Sequence, residues 1–91
     1  MEPLDPNTPS IVMYATPYCS YCMAARRLLK LKGLKFTEHN LGSDPGKRVE
    51  MEQLSGRRTV PQIFINQRHV GGFDELSALE RSGELDGWLT P

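Results

Sequence analysis

The chain of 91 residues contains two cysteines, Cys19 and Cys22, and only two residues lie between them. Thiols at this spacing serve as part of a metal site, as a structural disulfide, or as a dithiol that exchanges disulfide bonds with other molecules. The exchange reaction requires one exposed thiolate, because the thiolate is the attacking species, and a second thiol close enough to complete a disulfide. The surroundings of the pair decide between these three uses.

A metal site requires ligands that the rest of the sequence does not supply at suitable spacing. Structural zinc takes four ligands, usually two cysteine pairs or one pair with two closely spaced histidines. The two histidines, His39 and His69, fall on separate predicted strands. We therefore expect no metal bound by the single chain. A structural disulfide is also disfavoured, because so short a loop restricts the unfolded chain only weakly.

Composition and charge exclude several function classes. Eleven basic and eleven acidic side chains give a formal net charge of zero, whereas a dedicated nucleic-acid binder usually has a basic excess. No apolar run reaches the ~18 residues that a membrane span requires, and the N-terminal segment lacks the basic and apolar regions of a secretory signal. We therefore expect a cytoplasmic protein without nucleic-acid or membrane partners. Thiols stay reduced in that compartment, which favours a reactive dithiol.

A single α/β domain over residues 11–91 is predicted, preceded by a flexible, proline-rich leader over residues 1–10. Short apolar runs predict strands, and stretches of good helix formers predict helices, in the order β-α-β-α-β-β-α. The predicted strands cover residues 11–14, 35–41, 61–66 and 68–72, and the predicted helices cover 21–32, 45–56 and the segment from an Asp74 cap to Gly83. The cysteine pair thus falls where the first strand passes into the first helix.

This position gives the two thiols different roles. The free N–H groups and the dipole of a helix start favour negative charge, so the pKa of Cys19 should lie below the ~8.5 of a free thiol. Cys22 lies one turn further into the helix, where its sulfur should be buried and protonated. The sequence therefore predicts Cys19 as the nucleophile and Cys22 as the resolving thiol.

Three separated segments together resemble the glutaredoxin family: "CSYC" at 19–22, "TVPQIFI" at 59–65 and "GGFDEL" at 71–76. The resemblance implies a thioredoxin fold, with a four-stranded mixed sheet flanked by helices. It also implies a glutathione-dependent thiol–disulfide oxidoreductase that reduces protein disulfides and protein–glutathione mixed disulfides. Glutathione would then be the co-substrate, the partners would be disulfide-bonded or glutathionylated proteins, and the chain would act as a monomer.

The resemblance also implies a set of glutathione-binding residues. They are Tyr21, Arg48, Thr59, Val60, Pro61, Gly72, Phe73, Asp74 and Glu75. In this family the peptide bond before the proline is cis, and the backbone before it pairs with glutathione as a short antiparallel strand. The start of the third helix would bind the γ-glutamyl carboxylate through its N–H groups. One of the two acidic residues there would meet the ammonium group.

The remaining implied contacts concern the glycyl carboxylate and the bound thiol. Arg48 matches a family position that contacts the glycyl carboxylate, and Arg57 and Arg58 are near enough in sequence to assist. Tyr21, between the cysteines, would flank the bound thiol with its ring and hydroxyl.

Two departures from the family pattern keep an alternative open. Thr16 stands where a lysine is frequent, and Ser20 stands where many dithiol members have proline. Members without that proline sometimes bind a [2Fe–2S] cluster between two subunits, through the nucleophile and two glutathiones. Cys19 would then be the cluster ligand, and the protein a carrier or sensor dimer. Reduction by thioredoxin reductase in place of glutathione is a further alternative.

Overall fold

The computed structural model describes residues 8–90; residues 1–7, which form most of the predicted leader, and Pro91 lie outside the described residues. The elements are β1 (Ile11–Ala15), α1 (Ser20–Leu31), β2 (Thr37–Asn40), α2 (Pro45–Ser55), β3 (Gln62–Ile65), β4 (Arg68–Gly71), α3 (Phe73–Ser82) and α4 (Leu85–Trp88). This is the predicted order with one short helix added at the end. The leader boundary stays a prediction, although Ser10 is already bonded to Asn66 at both its N–H and its carbonyl.

The four strands form one mixed sheet in the order β2-β1-β3-β4. Strand β1 pairs with β2 in parallel, because α1 carries the chain back across the sheet between them. The pairs β1–β3 and β3–β4 are antiparallel. The predicted thioredoxin fold with a four-stranded mixed sheet is confirmed.

Two hydrophobic clusters, one on each face of the sheet, make up the core. Alternation along β1 sends Ile11, Met13 and Ala15 to one face and Tyr14 to the other. The first face packs against α1, α3 and α4 through Cys22, Ala25, Leu29, Leu76 and Leu85. The second packs against α2 through Met51. The central strand that leads into the cysteine pair is therefore held from both sides.

The start of α3 corrects one predicted helix boundary. Asp74 was the predicted N-cap, but Gly72 occupies the cap position and the helix begins at Phe73. The reason is the side chain of Glu75, which reaches back one turn and accepts a hydrogen bond from the Gly72 N–H at 3.3 Å. Asp74 therefore lies inside the first helical turn.

The other boundaries differ by one to a few residues. The second strand covers Thr37–Asn40 only, shorter than the predicted 35–41. Gly56 and Gly83 end their helices in the left-handed conformation, with φ of 71° and 81°. None of the helices within residues 8–90 combines the length and the apolar character needed to cross a membrane.

Candidate active site

The two thiols lie at the junction between β1 and α1. Cys19 is the N-cap residue of α1, with extended backbone angles, and its carbonyl accepts the first helical hydrogen bond from Met23 at 2.9 Å. Its thiol is partly exposed and donates to the carbonyl of Val60 across 3.9 Å. Cys22 is fully buried in the first turn. Both are free cysteines, so the structure represents the dithiol form.

The pKa of the Cys19 thiol lies below its usual value. Burial by itself raises this pKa, but the N–H and the thiol of Cys22, the N–H of Tyr21 and the Arg26 guanidinium all favour the thiolate and outweigh burial. These groups belong to the first two turns of α1. The helix start therefore stabilises a thiolate at Cys19, as the sequence predicts.

The pKa of the Cys22 thiol shifts the opposite way, to about 11. Burial is the main cause and the adjacent Cys19 adds to it, while hydrogen bonds from Thr16 oppose the shift. At neutral pH Cys22 therefore holds its proton while Cys19 is the more acidic thiol. Thr16, which the sequence marked only as a missing lysine, lies against the buried sulfur.

The side chain of Arg26 is held in place by Glu38 on β2. Its Nε and Nη2 donate to the two carboxylate oxygens of Glu38 at 2.7 and 2.6 Å, a bidentate pair that raises the pKa of the arginine and lowers that of the glutamate. The pair fixes a positive charge on α1 one turn beyond the thiols. The sequence does not reveal this pair, because Glu38 lies on β2 and not near Arg26 along the chain.

A pocket of about 310 Å³ lies between the start of α1, the segment before β3 and the start of α3. Its lining consists of Tyr21, Arg57, Thr59, Val60, Pro61, Gly72, Phe73, Asp74 and Glu75. The structure thus brings together every predicted glutathione-binding residue except Arg48. The Val60–Pro61 peptide bond is cis.

Arginine placement differs from the sequence expectation. The Arg48 guanidinium donates to the carbonyl of Arg58 at 3.1 Å and is not part of the pocket lining. Arg57 lines the pocket and forms an ion pair with Glu75, which lowers the pKa of that carboxyl. The contact between Arg48 and the glycyl carboxylate stays a prediction. Arg57 is the arginine that lines the pocket.

The two acidic residues of the pocket are in different situations. Glu75 is engaged by Arg57 and by the Gly72 N–H. For Asp74, no ion pair or hydrogen bond of its carboxylate is found within residues 8–90. Asp74 is therefore the carboxylate that remains available to a cation in the pocket.

Behind the pocket lies a polar contact that sequence reasoning missed. Gln62 is fully buried, and its amide nitrogen donates to the carbonyl and the hydroxyl of Thr59 at 3.0 and 3.1 Å. Its amide oxygen lies 2.7 Å from Nε2 of His69. Burial, and then the Arg57 charge, lower the pKa of this half-buried histidine.

Comparison with known proteins agrees with this geometry. The family model for glutaredoxin matches residues 11–70. A glutaredoxin from Pseudomonas aeruginosa is 46% identical over 82 residues, which is 90% of this chain and 98% of that protein. The solution structure of a glutaredoxin from Brucella melitensis superposes with a TM-score of 0.77 at 47% identity, over 89% of this chain and 88% of that one.

A buckwheat glutaredoxin, crystallised as its glutathione complex, superposes with a TM-score of 0.82 at 29% identity, over 92% of this chain and 79% of that one. The matches span the cysteine pair, the segment before β3 and the sheet. The chain therefore belongs to the glutaredoxin family, the glutathione-dependent thiol–disulfide oxidoreductases.

Proposed function

We propose that Cys19 is the nucleophile and Cys22 the resolving thiol of this oxidoreductase. The observation that carries the proposal is the opposite pKa shift of two thiols one helical turn apart, lowered for the partly exposed Cys19 and raised to about 11 for the buried Cys22. An attacking thiol must be ionised and accessible, whereas a resolving thiol needs only to reach the sulfur already bonded to its partner.

In the first route the protein removes glutathione from a glutathionylated target. The Cys19 thiolate attacks the glutathione sulfur of the mixed disulfide, a new Cys19–glutathione bond forms, and the target leaves as a thiolate that takes up a proton. The thiolate of a second glutathione then attacks the bound glutathione sulfur. Oxidised glutathione leaves and the Cys19 thiolate is restored.

In the second route the protein reduces a target disulfide. Cys19 attacks one sulfur and forms a mixed disulfide with the target, whose other sulfur leaves. Cys22 then attacks Cys19, its thiol proton passes to the departing target thiolate, and the Cys19–Cys22 disulfide closes. Two glutathione molecules reduce this disulfide in two exchanges and leave as oxidised glutathione.

We assign glutathione to the pocket beside Cys19. The γ-glutamyl carboxylate would lie at the start of α3, where N–H groups and the helix dipole favour an anion. Its ammonium would meet Asp74, because Glu75 is already engaged by Arg57. Arg57 would in turn bind the glycyl carboxylate, the role first predicted for Arg48.

The backbone before β3 and the aromatic ring of α1 complete the assignment. The Thr59–Val60–Pro61 segment would pair with the cysteine backbone of glutathione as a short antiparallel strand. Tyr21, more than half exposed, and Phe73 would flank the peptide on either side.

The division of roles is tested with two substrates and two variants. Cys19→Ser should abolish reduction of both a glutathionylated peptide and a disulfide-bonded protein. Cys22→Ser should abolish only the second reaction, because the first uses glutathione in place of the resolving thiol. Loss of both reactions in Cys22→Ser would contradict the assignment.

The cysteine thiols of the chain support an iron–sulfur role less well than the oxidoreductase role. Cys19 is the accessible thiol of the described chain, and Cys22 is buried in the core, so one chain would supply one cluster ligand. A [2Fe–2S] cluster needs four sulfurs, hence two chains and two glutathione thiolates. We therefore propose a monomeric oxidoreductase of the reducing cytoplasm. Visible absorption of the anaerobically purified protein would favour the cluster instead.

A further inference from the structure

Gln62 is a buried polar side chain placed directly behind the pocket. A buried amide destabilises the fold unless its groups are hydrogen-bonded. All three of its contacts lead either to Thr59, which lines the pocket, or to His69 on β4. A leucine or valine would fill this core position without needing hydrogen-bond partners. The amide therefore indicates a role for Gln62 besides packing.

Hydrogen-bond chemistry fixes how this amide is oriented. The Thr59 carbonyl can only accept, so the nitrogen of Gln62 faces Thr59 and its oxygen faces His69. Because that oxygen can only accept as well, Nε2 of His69 must carry a proton. His69 therefore donates to Gln62, and Gln62 donates to Thr59.

This chain of donors sets the direction of one peptide group. The Thr59–Val60 peptide is trans, and in a planar trans peptide the carbonyl and the following N–H point in opposite directions. Gln62 holds the Thr59 carbonyl toward the core, so the Val60 N–H is turned away from Gln62. Within residues 8–90 the Val60 N–H makes no hydrogen bond, and Val60 lines the pocket.

We propose that Gln62, supported by His69, is a positioning residue that keeps the Thr59–Val60 peptide turned so that its N–H receives the backbone carbonyl of the glutathione cysteine. The inference rests on the proposed glutathione pocket. Without the Gln62 amide this peptide is free to rotate and present its carbonyl, which repels the substrate carbonyl. Gln62 thus affects the binding of glutathione, whereas the reactivity of the thiols depends on residues of α1.

Three variants separate the amide contacts from packing. Gln62→Met keeps the length and volume of the side chain and removes its hydrogen bonds. His69→Phe keeps a ring against Phe64, where the centroids are 5.1 Å apart, and removes the donor. His69→Gln restores an amide N–H near the position of Nε2.

The measurement is steady-state reduction of the mixed disulfide of glutathione and 2-mercaptoethanol. Gln62→Met should raise KM roughly threefold to tenfold, the effect of one lost hydrogen bond, with kcat within about twofold of wild type. His69→Phe should shift KM in the same direction, His69→Gln should restore it, and the double variant should be no worse than Gln62→Met. The pH profile of Cys19 alkylation should not change, because the groups that lower its pKa lie on α1.

An unchanged KM in Gln62→Met overturns the inference, and so does a KM rise accompanied by a shifted alkylation profile. Asp74→Asn is measured in parallel. If it raises KM while Gln62→Met does not, the inference fails and the pocket assignment stands; if neither changes KM, both fail. Should Gln62→Met not fold, equal KM values for His69→Phe and His69→Gln overturn the inference.

Discussion

Replacing Gly71 with alanine tests how the pocket is built. Gly71 has φ of +124°, which side chains other than glycine rarely adopt. An added Cβ would lie 2.9 Å from Cδ and 3.0 Å from Cγ of Glu75, so the end of this side chain would have to move away. The substitution therefore combines backbone strain with displacement of the carboxylate that holds Gly72 and Arg57.

Both contributions can be estimated. Backbone strain of this kind is worth ~1–3 kcal/mol, and loss of the cap at the start of a helix ~0.5–2 kcal/mol. We expect a loss of about 2–4 kcal/mol in the free energy of unfolding. With an unfolding entropy of ~2.1 cal/mol/K per residue, this lowers Tm by roughly 10–20 °C for a chain of this length.

Thermal unfolding followed by circular dichroism measures the loss. Gly87→Ala is the matched control, because Gly87 has no positive φ and open space around its Cα; its Tm should stay close to wild type. Gly71→Ala with Glu75→Ala removes the clash and leaves the strain. A Tm for Gly71→Ala within about 3 °C of wild type would refute the reasoning.

Further predictions concern the pocket, the thiols and the core. Arg57→Gln should raise KM for glutathione roughly threefold to tenfold, and a larger rise in Arg48→Gln would show that the first assignment was right. Alkylation of reduced protein by iodoacetamide should modify Cys19 at a lower pH than Cys22, because the thiolate reacts and the pKa of Cys19 is lowered, and its rate should fall as pH falls through that pKa. Cys22 should react only near its pKa of about 11, and earlier reaction there would contradict the burial argument. Leu29→Ala should cost ~2–5 kcal/mol in urea unfolding, since Leu29 is fully buried, and a loss under about 1 kcal/mol would contradict its place in the core.

The sequence was sufficient wherever the signal is local. The spacing of Cys19 and Cys22 and their position before a run of helix formers are enough to predict a thiolate at the helix start. The order of helices and strands along the chain was also accessible, because short apolar runs and stretches of good helix formers mark the elements one by one. These features depend on neighbours within a few residues.

Features that depend on long side chains meeting across the fold were not accessible. Arg48 was the arginine expected at the glycyl carboxylate, with Arg57 and Arg58 assisting, and the sequence does not show that Arg57 is the one that lines the pocket. The cap of α3 was predicted at Asp74 because an acidic residue before a helix is a usual cap signal, whereas the helix is capped at Gly72 with the help of Glu75, which also pairs with Arg57. His69, which contacts Gln62, and Glu38, which pairs with Arg26, lie on strands that the local sequence does not place beside them.

The burial of Cys22 in the hydrophobic core limits what this sulfur meets. Peroxides and other small oxidants dissolved in water have no direct path to it, so progressive oxidation to sulfinic acid falls on its partner instead. In the proposed mechanism this sulfur meets only a target protein already bonded to Cys19, and it would release that protein after an interval set by the loss of its own proton. Burial in the core would thereby set how long each covalent complex with a target survives.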